Sequence, residues 1–467
     1  MAYRDSDQLI VLYEIEEGAD RIRSLQRKHL PGKVGLEEQM QTSLQGIAKK
    51  AKLNKKYRFR DLYRFLNEEN LLDSWRYLNS KAASGVDRIS MKEFEANLLS
   101  NIQGLVTSLK EKRYRAKLVR RVNIPKENGK HRSLGIPTIG DKLIQKAVAR
   151  ILEAIYEQDF LSCSYGYRPT IGAKDAVRDI STTLVRGRYG YLLDADLQGF
   201  FDHIDHQWLL KMLEERIDDK PFIHLITKWL KAGILSTDGK ILHPVTGTPQ
   251  GGIVSPILAN IYLHYVLDLW FEKKVKPNCK GEAYLCRYAD DFICAFRFKD
   301  DVEEFDKALI KRLNKFGLSL SPDKTRIIRF SRFEKGTNYF EFLGFEFRWG
   351  TSRKGKDMIK LRTSRKKLLA SLIKFSLWCR KCRNLRLGRI FKLLNAKLRG
   401  YYNYYGVIGN FASLQEFFRQ AMKILFKWLN RRSQKRSFCY IIFNQIVKFY
   451  HIEKPRITEF SYQFKSY

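Results

Sequence analysis

No stretch of this 467-residue chain approaches the roughly 18 consecutive apolar residues needed to cross a bilayer, which argues against a membrane protein. A secretory leader is not expected either, since the opening MAYRDSDQ is polar and charged. Cysteine is sparse: seven residues without regular spacing exclude a disulfide scaffold and point to a reducing compartment, with the bacterial cytosol expected. Cys379 and Cys382 form a lone Cys-x-x-Cys with no second pair at zinc-finger spacing, and read as a helix face. The largest deficit is of acid. Lys and Arg number 87 against 50 Asp and Glu, and the formal charge of +37 points to a polyanionic partner. From Thr351 to Tyr467 there are 28 basic and only 4 acidic residues, net +24, against +13 for everything before. The C-terminal quarter therefore reads as a polyanion surface.

Apolar residues make up 44% of the chain, enough for a sizeable core spread over two or three domains. The few acids are placed unevenly. In RYADDFICA (Arg287 to Ala295), Asp290 and Asp291 lie between short strand-forming runs, the pattern of a tight hairpin with carboxylates at its tip. Alone, the pair fits either a solvated turn or a divalent-cation site, because adjacent carboxylates raise each other's pKa until a cation neutralises them. A second acidic strand favours the cation. In YLLDADLQGFFDHIDH (Tyr191 to His206), alternation sends Asp194 and Asp196 to one face, where one of them can meet the hairpin tip. Three carboxylates from two strands can hold two Mg2+ about 4 Å apart, the arrangement that serves phosphoryl or nucleotidyl transfer.

The rest of the chain supplies context. Tyr57 to Leu78 has its apolar residues at helical spacing, and Tyr13 to Lys28 looks helical. Leu118 to Thr138 reads as two strands around Glu127-Asn128-Gly129, presenting Arg120, Arg121, Lys126, Lys130 and Arg132 either to a triphosphate or simply as edge-strand charge. Helices are expected over Leu143 to Tyr156 and Trp208 to Leu235. TGTPQGG (Thr246 to Gly252) is a glycine-rich loop ahead of a helix with Ser255 as its cap and Pro256 at its first position. Val302 to Phe316 follows as a helix, Gly317 to Lys324 as a strand and turn, and Phe340 to Trp349 as a half-buried strand. Beyond that, basic helices are expected over Leu368 to Arg380, Leu387 to Tyr404 and Leu414 to Asn430, where Tyr401, Tyr402, Tyr404 and Tyr405 serve either as packing or as stacking platforms for bases.

The ordered set AASGVD, IPKENGKHRSLGIPT, SYGYRP, DADLQGFFDHIDH, GTPQGGIVSP, RYADDF, SPDKT and FLGF resembles the reverse transcriptase blocks of group II intron-encoded proteins. LRGYYNYYG (Leu398 to Gly406) and LNRRSQKRS (Leu429 to Ser437) resemble their maturase, or thumb, domain. The resemblance implies an α+β right-hand polymerase: an N-terminal extension over 1–56, fingers and palm around an antiparallel sheet over 57–350, and an all-α basic thumb over 351–467. It implies RNA-directed DNA synthesis from dNTPs on an RNA template with a DNA or RNA primer, two Mg2+ with Mn2+ as a substitute, and a structured group II intron RNA as partner. A splicing cofactor without a polymerase role, or a host-adopted enzyme of repair or phage defence, stays open as an alternative. The oligomeric state is also open.

By the same resemblance, Asp196, Asp290, Asp291 and the carbonyl of Leu197 match the metal ligands, and Asp194 is a neighbour. Lys126 and Arg132 match the cations that hold the triphosphate, Gln250 and Gly251 the loop beside nucleotide and template, and Phe201 a gate against a ribose 2′-hydroxyl. Lys324 matches a position that protonates departing pyrophosphate, or is surface charge. Phe342, Leu343 and Gly344 match the primer grip, and Arg431, Arg432, Lys435 and Arg436 are expected to contact RNA. Three positions depart from the family pattern: Ser133 where Pro is usual, Arg88 where Gly is common, and Lys174 for a frequent His. The Cys and His pairs of an appended endonuclease domain are missing, so second-strand cutting is not expected.

Overall fold

The computed structural model describes residues 34–125, 131–236, 240–242, 245–248, 251–335, 338–432 and 437–459, with the backbone alone described for 34–43 and 132. The segment Tyr13 to Lys28 and the turn Glu127-Asn128-Gly129 lie outside these residues.

The first helices are α1 (Val34–Leu53), α2 (Glu68–Trp75), α3 (Met91–Ala96) and α4 (Leu98–Lys110). Over Tyr57 to Leu78, where the apolar residues fall at helical spacing, only α2 and a single 3₁₀ turn form. Asn67 caps α2 through Asn70 N–H, and Ser90 with Glu93 makes a reciprocal capping box on α3. Strands β1 (Val119–Pro125) and β2 (His131–Ile136) pair antiparallel, and β4 (Ile234–Leu235) and β5 (Ile241–Leu242) extend that sheet in the order β2-β1-β4-β5.

The central helix α5 (Ile139–Tyr156) is capped by Thr138 and almost wholly buried, with Ile144, Ala147, Val148, Ile151, Leu152 and Ile155 inaccessible. Next come α6 (Ala173–Arg186), β3 (Tyr191–Asp196), α7 (Phe200–His203), α8 (His206–Glu214) and α9 (Lys220–Leu230). The single helix expected over Trp208 to Leu235 is thus two, because Asp219 caps a new start and Pro221 occupies its first turn. Helix α10 (Ser255–Leu263) carries Pro256 near its start, with Val254 in the cap position in place of Ser255, and runs on into two π-helical turns, His264–Asp268 and Phe271–Val275.

Strands β6 (Ala283–Tyr288) and β7 (Asp291–Phe296) form a hairpin; α11 (Lys299–Lys315) and β8 (Arg326–Arg329) follow. The second sheet runs β6-β7-β3-β8. Gly317 to Lys324 makes only an isolated bridge at Leu320 and a 3₁₀ turn, and the strand in this region is β8. One face of the sheet (Leu193, Ala195, Phe292, Cys294, Phe296) packs with α5, α10 and α11 in the main core. The other (Leu192, Ile293, Ala295) packs with α6 and with Phe340, Phe342 and Phe347.

Those phenylalanines belong to β9 (Tyr339–Phe342) and β10 (Phe345–Thr351), with β11 (Asp357–Thr363) completing a three-stranded sheet. The single strand expected over Phe340 to Trp349 is therefore a hairpin. Leu343 and Gly344 form its two-residue loop with φ +51° and +77°, both in the left-handed region that a tight hairpin requires. The C-terminal part is not helical from 351. Its helices α12 (Arg365–Cys382), α13 (Leu387–Tyr405), α14 (Phe411–Leu429) and α15 (Tyr440–Phe449) begin only after β11 and share a core of their own.

Candidate active site

Strand pairing sets the site. In the β6–β7 hairpin Tyr288 opposes Asp291, so Ala289 and Asp290 are its tip, and Ala289 sits at φ +57°. Across β3–β7, Asp196 opposes Asp291 and Asp194 opposes Ile293. Directly paired residues of an antiparallel sheet project to the same face with Cα atoms about 5 Å apart, so Asp196 and Asp291 meet side by side. Asp290 follows from the tip.

Electrostatics concentrate there. Burial first, then Asp194, Asp196 and Asp290, push the Asp291 carboxyl up to about 8, with Lys324 opposing. Burial likewise raises Asp194 to about 6 against the pull of Arg326, whose Nε lies 3.3 Å from its Oδ2. Lys324 Nζ donates to Asp196 Oδ2 at 2.8 Å, which holds its ammonium above the usual lysine range. Asp194 and Lys324 thus share the cluster, Asp194 already paired to Arg326.

Among the described residues no three His, Cys, Asp or Glu side chains are gathered in ready ligand geometry; the Asp196 carboxylate is turned to Lys324. The donor set still fits hard divalent cations. It is all oxygen, and burial together with like charge raises Asp291, a penalty that a bound cation would relieve. The Leu197 side chain is buried, and its backbone makes an isolated antiparallel bridge to Leu320.

Phe201, on α7, is 7% exposed and meets Tyr167 edge-on at 6.5 Å. The glycine-rich loop fixes its backbone: Thr248 N–H donates to the Phe201 carbonyl at 2.8 Å and Gly247 N–H to that of Ile204 at 2.8 Å. Gly251 (φ +110°) lies so close to β2 that a Cβ there would come within 2.6 Å of the Gly135 oxygen. The AASGVD loop docks alongside, with Arg120 donating to the Ser84 carbonyl and Gly85 against the Thr138 backbone.

Two acids facing each other across neighbouring strands, one of them bonded to a lysine, make an oxygen donor set suited to a divalent cation, and comparison with known proteins decides the family. Residues 124–347 match the family described as reverse transcriptase (RNA-dependent DNA polymerase). The chain is 31% identical over 460 residues to the group II intron-encoded protein LtrA of Lactococcus lactis subsp. cremoris, covering 80% of this chain and 75% of that one. It is 35% identical over 284 residues to protein YkfC of Escherichia coli (strain K12), covering 54% and 74%. A 91 kDa protein in a cob intron of Schizosaccharomyces pombe is 29% identical over 417 residues, covering 75% and 51%. The chain belongs to the group II intron reverse transcriptase/maturase family. It is an RNA-directed DNA polymerase by that membership.

The remaining expected site residues of this reverse transcriptase have settings of their own where they are described. Phe342, Leu343 and Gly344 form the β9–β10 turn on the face of the sheet that bears Asp196, and Tyr404 Oη donates to the Leu343 carbonyl at 3.0 Å. Tyr401 stacks on Phe417 and Tyr402 is inaccessible, so the tyrosine run packs the helices and props the turn. Arg431 lies over the Trp428 ring. Arg432 donates to the carbonyls of Arg383 and Leu385, closing the loop between α12 and α13, so its guanidinium is engaged internally. The Arg132 backbone pairs with Ile124, while Lys126, Gln250, Lys435 and Arg436 lie outside the described residues.

The departures have local partners. Arg88 stands at φ +58°, the conformation in which glycine is least strained; Ser133 Oγ donates to Asn123 Oδ1 at 3.0 Å; and Lys174 Nζ donates to Thr458 Oγ1 at 2.6 Å. No helix among the described residues is long and apolar enough to cross a membrane. Sequence reasoning gave no role to Arg287, although an arginine directly after the apolar AYLC run was its signal.

Proposed function

We propose that this enzyme extends a primer 3′-hydroxyl on an RNA template by attack on the α-phosphate of a dNTP, with Asp196, Asp290, Asp291 and the Leu197 carbonyl holding two Mg2+. When bound, such ions lower the hydroxyl pKa and balance charge on the leaving pyrophosphate. The observation that carries this reading is Asp196 facing Asp291 across β3–β7 with Lys324 on the Asp196 carboxylate.

Lys324 is held protonated by that contact and can release its proton to the departing pyrophosphate. Lys126, Arg132, Gln250 and Gly251 hold the triphosphate and the templating base. Phe201, rigidly backed by the glycine loop, narrows the ribose site so that a 2′-hydroxyl is excluded. Leu343 and Gly344 present backbone to the primer end. The fingers, palm and thumb correspond to the sheet around β1, the sheet around β3 and the helices from Arg365 onward, whose basic surface takes the template–primer duplex and structured intron RNA, assisting splicing and mobility.

Primer extension on an RNA template by Asp196→Ala and Asp290→Ala, with RNA affinity measured alongside, tests the reading. Extension is expected to fall by more than about a thousandfold with affinity nearly unchanged. Splicing assistance should survive the same variants. Extension within a few-fold of wild type would overturn the assignment.

A further inference from the structure

Arg287 is completely buried, and each of its five N–H bonds has an acceptor. Nε and Nη2 grip the two oxygens of Asp268 at 2.7 and 2.5 Å, Nη2 also donates to Ser164 Oγ at 2.7 Å, and Nη1 donates to Asn260 Oδ1 at 3.0 Å and to the carbonyl of Ala289 at 3.1 Å. Asp268, Asn260 and Ser164 are themselves inaccessible. Sinking an ion pair this deep rarely adds stability over apolar packing of equal volume, so stability alone is a poor reason for the cluster.

Its contacts suggest a different reason. The Ala289 carbonyl belongs to the peptide that carries the Asp290 nitrogen, at the one tip residue with left-handed φ. Asp268 ends a π-helical turn, the kind of one-residue insertion that re-aims a side chain, and here its carboxylate meets Arg287. Asn260 Nδ2 continues to the Gly166 carbonyl at 2.7 Å, and the Gly166 backbone lies directly against Ala289. Two segments outside the hairpin, the loop at Ser164 and the continuous helix that carries Asn260 and Asp268, are thereby tied to its tip through one planar, five-donor group. Lysine, a point charge without a fork, cannot make these bonds together.

We infer that Arg287 is a positioning residue: it sets the peptide plane between Ala289 and Asp290 and so holds the acidic tip in register with Asp196 for metal binding. The inference rests on the metal-binding reading of Asp196, Asp290 and Asp291 given above. It is tested with the full chain and Mn2+ as the probe, by the electron paramagnetic resonance of bound Mn2+ without nucleic acid, together with thermal unfolding. Arg287→Lys is expected to unfold cooperatively at a lower midpoint and to bind Mn2+ about ten- to hundredfold more weakly, with primer extension recovering as metal is raised. A folded Arg287→Lys protein with wild-type Mn2+ affinity would overturn the inference, since a purely structural ion pair would move the midpoint alone. If that variant does not fold, Ser164→Ala decides, because it removes one acceptor and no charge: a few-fold loss of Mn2+ affinity supports the role, and no loss refutes it. Asp196→Ala and Asp290→Ala serve as controls. Wild-type Mn2+ binding in both would overturn the metal site and this inference with it. Loss in both with none in Arg287→Lys would overturn this inference alone.

Discussion

At the scale of single residues, burial and crowding weigh on the carboxylates even though Arg326 pairs with Asp194 and Lys324 with Asp196. Asp291 carries the consequence. Its pKa is raised in the fold to about 8, so the folded chain keeps a proton that the unfolded chain releases near 4. Metal-free stability therefore falls from this group as pH rises through that interval and levels off above it. Asp291→Asn should raise the metal-free unfolding midpoint by a few degrees at a pH above 8 and leave it unchanged at acidic pH, as differential scanning fluorimetry would show. The same proton competes with metal, so wild-type Mn2+ affinity should climb with pH and flatten above about 8. A flat profile would mean that Asp291 is already ionised when metal arrives.

At the scale of elements, the site depends on backbones pressed together without side chains between them. Gly166 is the clearest instance, because a Cβ there would stand 2.4 Å from the Ala289 nitrogen and the hairpin tip would have to shift. Gly166→Ala should reduce primer extension by more than about tenfold while circular dichroism stays native, since displacements near 1 Å are enough to cost such factors. Both acidic strands were legible in the sequence because alternation and apolar flanks declare them, and their pairing in the fold put Asp196 opposite Asp291. The β9–β10 turn was not. Leu343 at φ +51° defies local preference and persists with Tyr404, sixty-one residues away, bonded to its carbonyl. The Arg287 cluster was hidden for the same reason, as its side-chain partners Ser164, Asn260 and Asp268 lie 19 to 123 residues away in the chain.

At the scale of the molecule, charge and topology divide the labour. The acids gather at one end of one sheet, while the chain from Arg365 onward, helices and their connections together, carries 23 basic against 3 acidic residues, net +20 of the +37. RNA affinity should accordingly fall by about a thousandfold or more between about 50 and 200 mM salt if six or more phosphates are contacted, and filter binding across a salt series would read the slope. A shallow slope would place recognition in base contacts instead. Composition foretold this polarity, but the element boundaries were less visible: β11 extends the strands past 351, and α15 lies beyond the last helix expected from the sequence. The most direct test is anomalous diffraction from crystals of the complex with RNA template, primer and dNTP, soaked in Mn2+. Two peaks about 4 Å apart between Asp196 and Asp291 are predicted. Mn2+ absent from that gap, or bound elsewhere while the nucleotide is seated, would contradict the account.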